Sequence, residues 1–119
     1  MTEPNAAGPS ILNLGAIDGD LRREDAYLRT GHSARTVVRE PDLRVVLVAM
    51  KAGSRIPQHR ADETASIHVL VGSLRLQLPG RAVDLGAGQL LLLERAVPHD
   101  VEAVAESSFL LTLGWKNRP

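Results

Sequence analysis

The stretch SIHVLVGSLRLQLPGRAVDLGAGQLLLLE, from Ser66 to Glu94, consists of short apolar segments separated by turn residues. The segments are rich in valine and leucine, and several alternate apolar and polar residues, which is typical of β-strands. The breaks between them are Gly72-Ser73, Pro79-Gly80 and the cluster Gly86-Ala87-Gly88. Glycine and proline at these places favour tight turns, so we predict β-hairpins at all three breaks.

The same pattern extends in both directions along the chain. RTVVRE and LRVVLVAM precede this stretch, and HDVEAV and FLLTLGW follow it. About eight short strands at near-regular spacing, without a convincing long helix, predict an all-β single-domain protein, an antiparallel β-barrel or sandwich.

The beginning of the chain has a different character. Residues 1–10 are small, polar and proline-bearing, so we predict a flexible tail there and one domain over residues 11–119. ILNL is interpreted as a short edge strand. DGDLRREDAYLR has a weak helical spacing that fits either one helical turn or an irregular segment.

Composition narrows the classes of function. The chain has 119 residues, about the size of one domain, and its 14 basic and 14 acidic residues leave no net charge. We therefore expect neither a nucleic-acid partner nor an anionic membrane surface as a partner. The chain has no cysteine, which excludes thiolate metal sites and fits a reducing compartment. Its longest apolar run is far too short to span a membrane and its start does not resemble a signal peptide, so we expect a cytoplasmic location.

Two spacings between glycine and histidine stand out. Gly53 is followed after five residues by His59, and Gly72 lies thirteen residues beyond His59. Later, Gly88 precedes His99 by eleven residues. This arrangement resembles the two sequence motifs of the cupin superfamily over roughly residues 37–115. The resemblance implies a small single-domain microbial cupin with an RmlC-like jelly-roll fold.

The resemblance also implies a metal site inside the barrel. His59 and His99 match two of the family's four usual ligands, whereas Ala61 and Ala65 stand where the family has its second histidine and its glutamate. In the second motif, proline, glycine and asparagine are replaced by Glu94, Ala96 and Ala103. The implied cofactor is a divalent transition metal (Zn, Fe, Mn, Ni or Cu) that is bound by His59 and His99 and is released as pH falls through about 6.5.

Further side chains are candidates to complete this site. We include His68 as a third metal ligand, although regular strand alternation points it away; a β-bulge after the turn at residues 62–64 would bring it inward. Asp62 and Glu63 are most simply solvated turn residues, and either is an alternative carboxylate ligand. His32 lies upstream of both motifs in a loop-like setting that favours a surface role.

Two functions are consistent with these residues. The first is a metal-binding cupin, a function that includes an oxygenase- or isomerase-type enzyme of unknown substrate as an option. The second is a metal-free module that binds or senses a small molecule. Gln58, Arg75 and Gln77 are candidate polar contacts in the cavity for the small-molecule ligand or substrate. We also expect a homodimer, because small cupins are often dimers and unpaired sheet edges favour pairing.

Overall fold

The structure is a computed structural model and describes residues 10–114. Two short helices open the described chain, α1 (Leu14–Leu21) and α2 (Asp25–Thr30). Nine strands follow: β1 (His32–Glu40), β2 (Leu43–Met50), β3 (Arg55–His59), β4 (Ala65–Val71), β5 (Ser73–Leu78), β6 (Arg81–Gly86), β7 (Leu90–Leu93), β8 (His99–Ala103) and β9 (Ser107–Gly114). Eight of these strands are the predicted ones. The ninth strand, β3, was not among the predicted ones. Its sequence RIPQH lacks an apolar alternation and contains a proline, which is uncommon inside strands.

The strands form two antiparallel sheets. Sheet A has the order β1-β2-β9-β4-β7, and sheet B has the order β3-β8-β5-β6. The two sheets pack face to face, and their inner faces supply the main core, which includes Ile67, Leu74, Leu76, Val101 and Phe109. The predicted all-β jelly-roll class is thereby confirmed, as two facing sheets.

The helices cover the outer face of sheet A. Leu21 and Tyr27 of the helices pack against Leu47 and Ala49 of β2 in a second apolar cluster. This explains the nearly continuous apolar sequence of β2, because its side chains are buried on both faces of the sheet. Neither helix among residues 10–114 is long and apolar enough to cross a bilayer.

The prediction for ILNL is wrong. Ile11 and Leu12 are exposed and belong to no strand, and the chain enters α1 at Leu14. The Asn13 side chain accepts a hydrogen bond from the backbone N–H of Ala16 at 3.1 Å. This N-cap satisfies one of the amides at the start of the helix and so favours helix over strand at this point. The predicted tail, apart from Ser10, lies outside the described residues.

The three predicted hairpins have different outcomes. Pro79-Gly80 does join the neighbouring strands β5 and β6, with Leu78 and Arg81 as cross-strand partners. Gly72 instead links β4 of sheet A to β5 of sheet B, and residues 87–89 link β6 of sheet B to β7 of sheet A. Both of these predictions were wrong because turn residues mark a reversal of the chain but do not determine which strands pair across it.

Candidate functional site

His59 and His99 lie opposite each other on paired strands of sheet B. They are register partners of β3 and β8, and their ring centroids are 4.4 Å apart with an interplanar angle of 58°. His99 is buried, with 5% of its surface exposed, whereas His59 is exposed. The pairing of β3 with β8 therefore brings the two predicted ligands together, with one at the rim and the other in the interior.

A β-bulge in β3 aims His59 inward. Ile56 pairs with Val101, and His59 pairs with His99, so β3 uses one residue more than β8 between these two pairs. Ile56 and His59 are three residues apart, and regular strand alternation would place them on opposite faces. The bulge shifts the alternation by one residue. The side chains of Ile56 and His59 therefore both face the core, as those of their partners Val101 and His99 do. Pro57 fits the bulge of this edge strand because it has no N–H to lose from the ladder.

Each imidazole is oriented by a backbone carbonyl two residues earlier in the chain. The Nδ1 atom of His59 lies 3.0 Å from the oxygen of Pro57, and that of His99 lies 3.1 Å from the oxygen of Val97. Since a carbonyl oxygen only accepts, Nδ1 must carry the proton in both rings. In the neutral rings, Nε2 is then the atom with a lone pair available to a ligand. A hydrogen bond from the non-ligating nitrogen to a carbonyl is the usual arrangement around metal-bound histidine.

The environment of His99 favours its neutral form. Burial lowers the pKa of this imidazole below its ordinary value, and the neighbouring His59 lowers it further. The hydrogen bond to Val97 and the charge of Asp100 oppose this shift without reversing it. His99 therefore retains its lone pair to lower pH than an exposed histidine does.

Both rings line a cavity of about 80 Å³ between the two sheets. The other residues of its wall are all apolar: Val48, Ile56, Ile67, Val101, Phe109 and Leu111. The carboxylate nearest in sequence, that of Asp100, accepts hydrogen bonds from the backbone N–H of Gln77 and from the guanidinium of Arg55. Burial opposes ionisation of Asp100, but these bonds outweigh it and lower its pKa.

The structure does not bring His68 to this site. In β4 the side chains of Ala65, Ile67 and Val69 are buried toward the core, whereas His68 belongs to the alternate, half-buried set. The register irregularity of β4 lies between Val69 and Val71, beyond His68, and so does not turn it inward. The bulge that matters is in β3, where it acts on His59.

The remaining candidates also lie apart from the two rings. His32 begins β1 in sheet A, with Met50 as its register partner. Asp62 is exposed and Glu63 is half-buried, and neither lines the cavity. Within residues 10–114, no group of three or more His, Asp or Glu side chains is arranged to hold a metal ion. The donor set that the described chain supplies is two imidazoles.

The predicted polar contacts were wrong. Arg75 and Gln77 are on the exposed face of β5, because Leu74 and Leu76 take the inward positions. Arg75 pairs with Asp84, and the Gln77 amide donates to the carbonyls of Leu78 and Arg81. Gln58 is exposed and lies in the bulge of β3. The alternation of LRLQL places its leucines on one face and Arg75 and Gln77 on the other, and the leucine face is the buried one.

Some residues of the site had no signal in the sequence. The carbonyls of Pro57 and Val97 act through the backbone, so their side chains do not reveal them. Phe109 forms part of the cavity wall from β9, which is separated in sequence from both histidines. Only Pro57 offered a hint, because proline within a strand indicates an edge or a bulge.

Ala96 stands where the family motif has glycine, and its backbone keeps the glycine conformation. Its φ is +66°, and it is the one described residue other than glycine with a positive φ. Its N–H donates to the carbonyl of Ala61 at 2.7 Å, which joins the segments that precede His99 and follow His59. The hydrogen bond holds the alanine in a conformation that costs an L-residue roughly 1–2 kcal/mol.

We therefore expect Ala96→Gly to stabilise the protein. The strain is relieved, and the greater entropy of glycine in the unfolded chain offsets part of the gain, so the free energy of unfolding should rise by about 0.5–1 kcal/mol. Urea unfolding measures this change. Ala87→Gly, at an exposed turn position without a positive φ, is the matched control and should not stabilise. A loss of stability in Ala96→Gly would contradict the strain argument.

Comparisons with known proteins agree with this architecture. The family model described as "Cupin domain" matches residues 46–113. A search of curated proteins finds no match. A conserved protein of unknown function from Streptococcus pyogenes is similar in structure with a TM-score of 0.71 and 18% identity, over 97% of this chain and 95% of that one.

Two enzymes with larger chains are also similar. A variant of salicylate 1,2-dioxygenase from Pseudoaminobacter salicylatoxidans has a TM-score of 0.77 and 16% identity, over 86% of this chain and 34% of the enzyme. A variant of oxalate decarboxylase from Bacillus subtilis has a TM-score of 0.66 and 26% identity, over 72% of this chain and 26% of the enzyme. The match at residues 46–113 covers more than half of the chain and includes both histidines. The chain belongs to the cupin family.

Proposed function

We propose that this protein binds a divalent transition metal through Nε2 of His59 and Nε2 of His99. The observation that carries the proposal is the pair of hydrogen bonds from Nδ1 to the carbonyls of Pro57 and Val97. They fix in both rings the tautomer that leaves Nε2 free to bind a metal, on two side chains that line one cavity. Imidazole nitrogen suits zinc, copper, iron and nickel, and poorly suits calcium and magnesium.

Two neutral imidazoles are suitable ligands for such an ion, but they are fewer than the protein ligands of most metal sites. Catalytic metal sites commonly have three protein ligands and leave one position to water or substrate. With two imidazoles, more positions remain for exogenous ligands. A metal bound here would polarise an oxygen ligand or lower the pKa of bound water. The carbonyls of Pro57 and Val97 would orient the two imidazoles, and six apolar side chains would form the rest of the wall around the ion.

The second candidate function is a metal-free module that binds a small molecule. Its support is that residues 10–114 contain no third metal ligand near the pair, while the cavity is apolar with two nitrogen acceptors. The similarity to a dioxygenase and a decarboxylase allows enzymatic activity but specifies no reaction. The homodimer and the cytoplasmic location stay predictions.

Metal binding by the two histidines is tested by substitution. Protein without an affinity tag is titrated with Zn²⁺ and Co²⁺ by calorimetry, and its metal content is measured after dialysis. His59→Ala and His99→Ala should each weaken binding by more than about 10-fold, a loss that removing a supporting hydrogen bond of a ligand can already cause. His68→Ala and His32→Ala are the matched controls and should bind as the wild type does.

A gain-of-ligand variant tests the same site from the other direction. Ala61 packs against the core, two residues beyond His59, at the position of the family's second histidine. Ala61→His should tighten metal binding by supplying a third imidazole. Equal metal affinity in the wild type, His59→Ala and His99→Ala would reject the metal function and leave the binding module.

A further inference from the structure

We propose that a cleft on the outer side of sheet B binds a free α-amino acid with an aliphatic side chain. The cleft has a volume of about 310 Å³, compared with about 80 Å³ for the cavity between the sheets. The two linings share no residue, so this inference is independent of the metal function proposed above. The start of β5 and the end of β6 contribute Ser73, Arg75, Asp84 and Gly86 to the cleft, and the links that follow β6 and β8 contribute Gln89 and Val104.

The charged part of the cleft is one pair of adjacent, opposite charges. Arg75 and Asp84 are register partners, and the guanidinium of Arg75 donates through Nε to Oδ1 of Asp84 at 2.8 Å and through Nη2 to Oδ2 at 3.4 Å. These bonds use two of the five N–H groups of the guanidinium and leave acceptor capacity on both carboxylate oxygens. Both side chains are also more than half exposed, at 55% and 70%. A ligand can therefore form hydrogen bonds with both charges without breaking the pair.

The signs of these charges select the class of ligand. A simple anion would be attracted by Arg75 but repelled by Asp84, and also by Glu102, the register partner of Arg75 on β8. A simple cation would be repelled by Arg75. A zwitterion satisfies both charges of the pair, and because these charges are adjacent, its own charges must be adjacent as well. An α-amino acid meets this condition, since its ammonium and carboxylate groups are attached to the same carbon.

Neutral side chains beside the pair add two polar groups and one apolar surface. The Oε1 atom of Gln89 accepts a hydrogen bond from the backbone N–H of Gly86 at 2.7 Å, which orients this side chain and leaves its NH2 group as a donor. Ser73, the register partner of Gly86, adds a hydroxyl group. Val104 is 56% exposed and provides an apolar contact for an aliphatic side chain. The guanidinium and the amide would bind the carboxylate of the ligand, and Asp84 would bind its ammonium group.

Gly86 keeps the floor of the cleft open. Its neighbour Leu85 is buried in the main core, so position 86 is on the outer face of β6. Its φ is not positive, unlike that of Gly88, and a Cβ atom there would have its nearest contact with Oε1 of Gln89 at 3.7 Å, an ordinary distance. Neither the backbone nor the packing requires this glycine, and glycine weakens a strand. A glycine that the fold does not need, at the floor of a cleft, points to a ligand that uses the space.

The volume of the cleft is sufficient for an amino acid of ordinary size. Water occupies about 30 Å³ per molecule in the liquid, so 310 Å³ corresponds to roughly ten waters. Leucine has fewer non-hydrogen atoms than this. Its α-carbon would lie beside the Arg75–Asp84 pair, and its side chain would extend toward Val104.

The test uses the full chain without a tag and measures the binding of L-leucine by NMR titration of the backbone amides. Three further ligands each change one property. 6-Aminohexanoate is an isomer of leucine with its charges far apart, N-acetyl-leucine lacks the positive charge, and leucinamide lacks the negative one. Leucine should bind with a Kd on the order of 1 mM, as expected for a small ligand on exposed groups. Each of the other three should bind about 5-fold more weakly, the upper range for one exposed charge contact.

Substitutions locate the binding in the cleft. Gly86→Val fills the floor and leaves the Arg75–Asp84 pair in place, and valine suits a strand. This variant should be as stable as the wild type in urea, while leucine binding falls by more than about 10-fold, as expected when a ligand meets an overfilled site. Arg75→Gln should weaken leucine binding by about 5-fold. Arg29→Gln is its matched control, because it breaks an exposed pair with Asp25 on α2 and should bind leucine as the wild type does.

The outcomes separate the proposal from its alternatives. Leucine binding that is lost in Gly86→Val, weakened in Arg75→Gln and kept in Arg29→Gln would support it. Equal binding of leucine and 6-aminohexanoate would overturn the selection of adjacent charges, and with it the amino-acid class. Unchanged leucine binding by Gly86→Val or by Arg75→Gln, or no binding by the wild type at tens of millimolar leucine, would overturn the site. None of these measurements involves a metal, so they leave the proposed metal function to its own test.

Discussion

Replacing Gly72 with alanine is expected to lower the free energy of unfolding by about 3 kcal/mol or more. Gly72 has a φ of +87° where the chain passes from sheet A to sheet B. A Cβ atom there would overlap the carbonyl oxygen of Glu106 and the Oγ of Ser107, and would lie 2.8 Å from the Cα of Ser107. Two of these three atoms belong to the backbone, so relief requires the start of β9 to move. The variant therefore combines an unfavourable φ with overpacking.

Gly88→Ala separates these two contributions. Gly88 has a φ of +86°, almost the same as Gly72, but a Cβ atom there would meet nothing within 4 Å. Gly88→Ala should lower the free energy of unfolding by about 1 kcal/mol, the cost of the positive φ alone. Urea unfolding of both variants measures the difference. Equal losses in the two variants would show that the close approach of β9 to Gly72 does not contribute.

Phe109→Ala is expected to destabilise the protein by about 3–5 kcal/mol. Phe109 is 2% exposed and lies on β9, between β2 and β4, with Val48 and Val69 as register partners. Truncation removes an apolar ring from the main core and enlarges the cavity beneath the histidines. The strands on both sides are held by their own hydrogen bonds, so the space cannot close fully.

The control for Phe109→Ala is Leu92→Ala, because Leu92 is 61% exposed on the edge strand β7. Leu92→Ala should change the free energy of unfolding by no more than about 0.5 kcal/mol. Thermal and urea unfolding of both variants provide the measurement. If Phe109→Ala loses no more stability than Leu92→Ala, the main core does not depend on this ring.

The sequence by itself was enough to predict the class of fold and two residues of the site. Strand alternation and turn residues are local properties, because each follows from the backbone preferences of a few neighbouring residues. They identified eight strands and the reversal at Pro79-Gly80. The spacing from Gly53 to His59 and from Gly88 to His99 identified the family, and the structure places both histidines in one cavity.

Only the tertiary structure decided which strands pair and which faces their side chains occupy. Gly72 was predicted to close a hairpin, but β4 pairs with β7 and β9, and these partners are distant in sequence. A bulge of one residue turns His59 inward, while His68 on a regular part of β4 stays on the other face. Because strand alternation has a period of two, a shift of one residue reverses every side chain beyond it. Such a shift depends on the partner strand, and a single strand's sequence does not contain it.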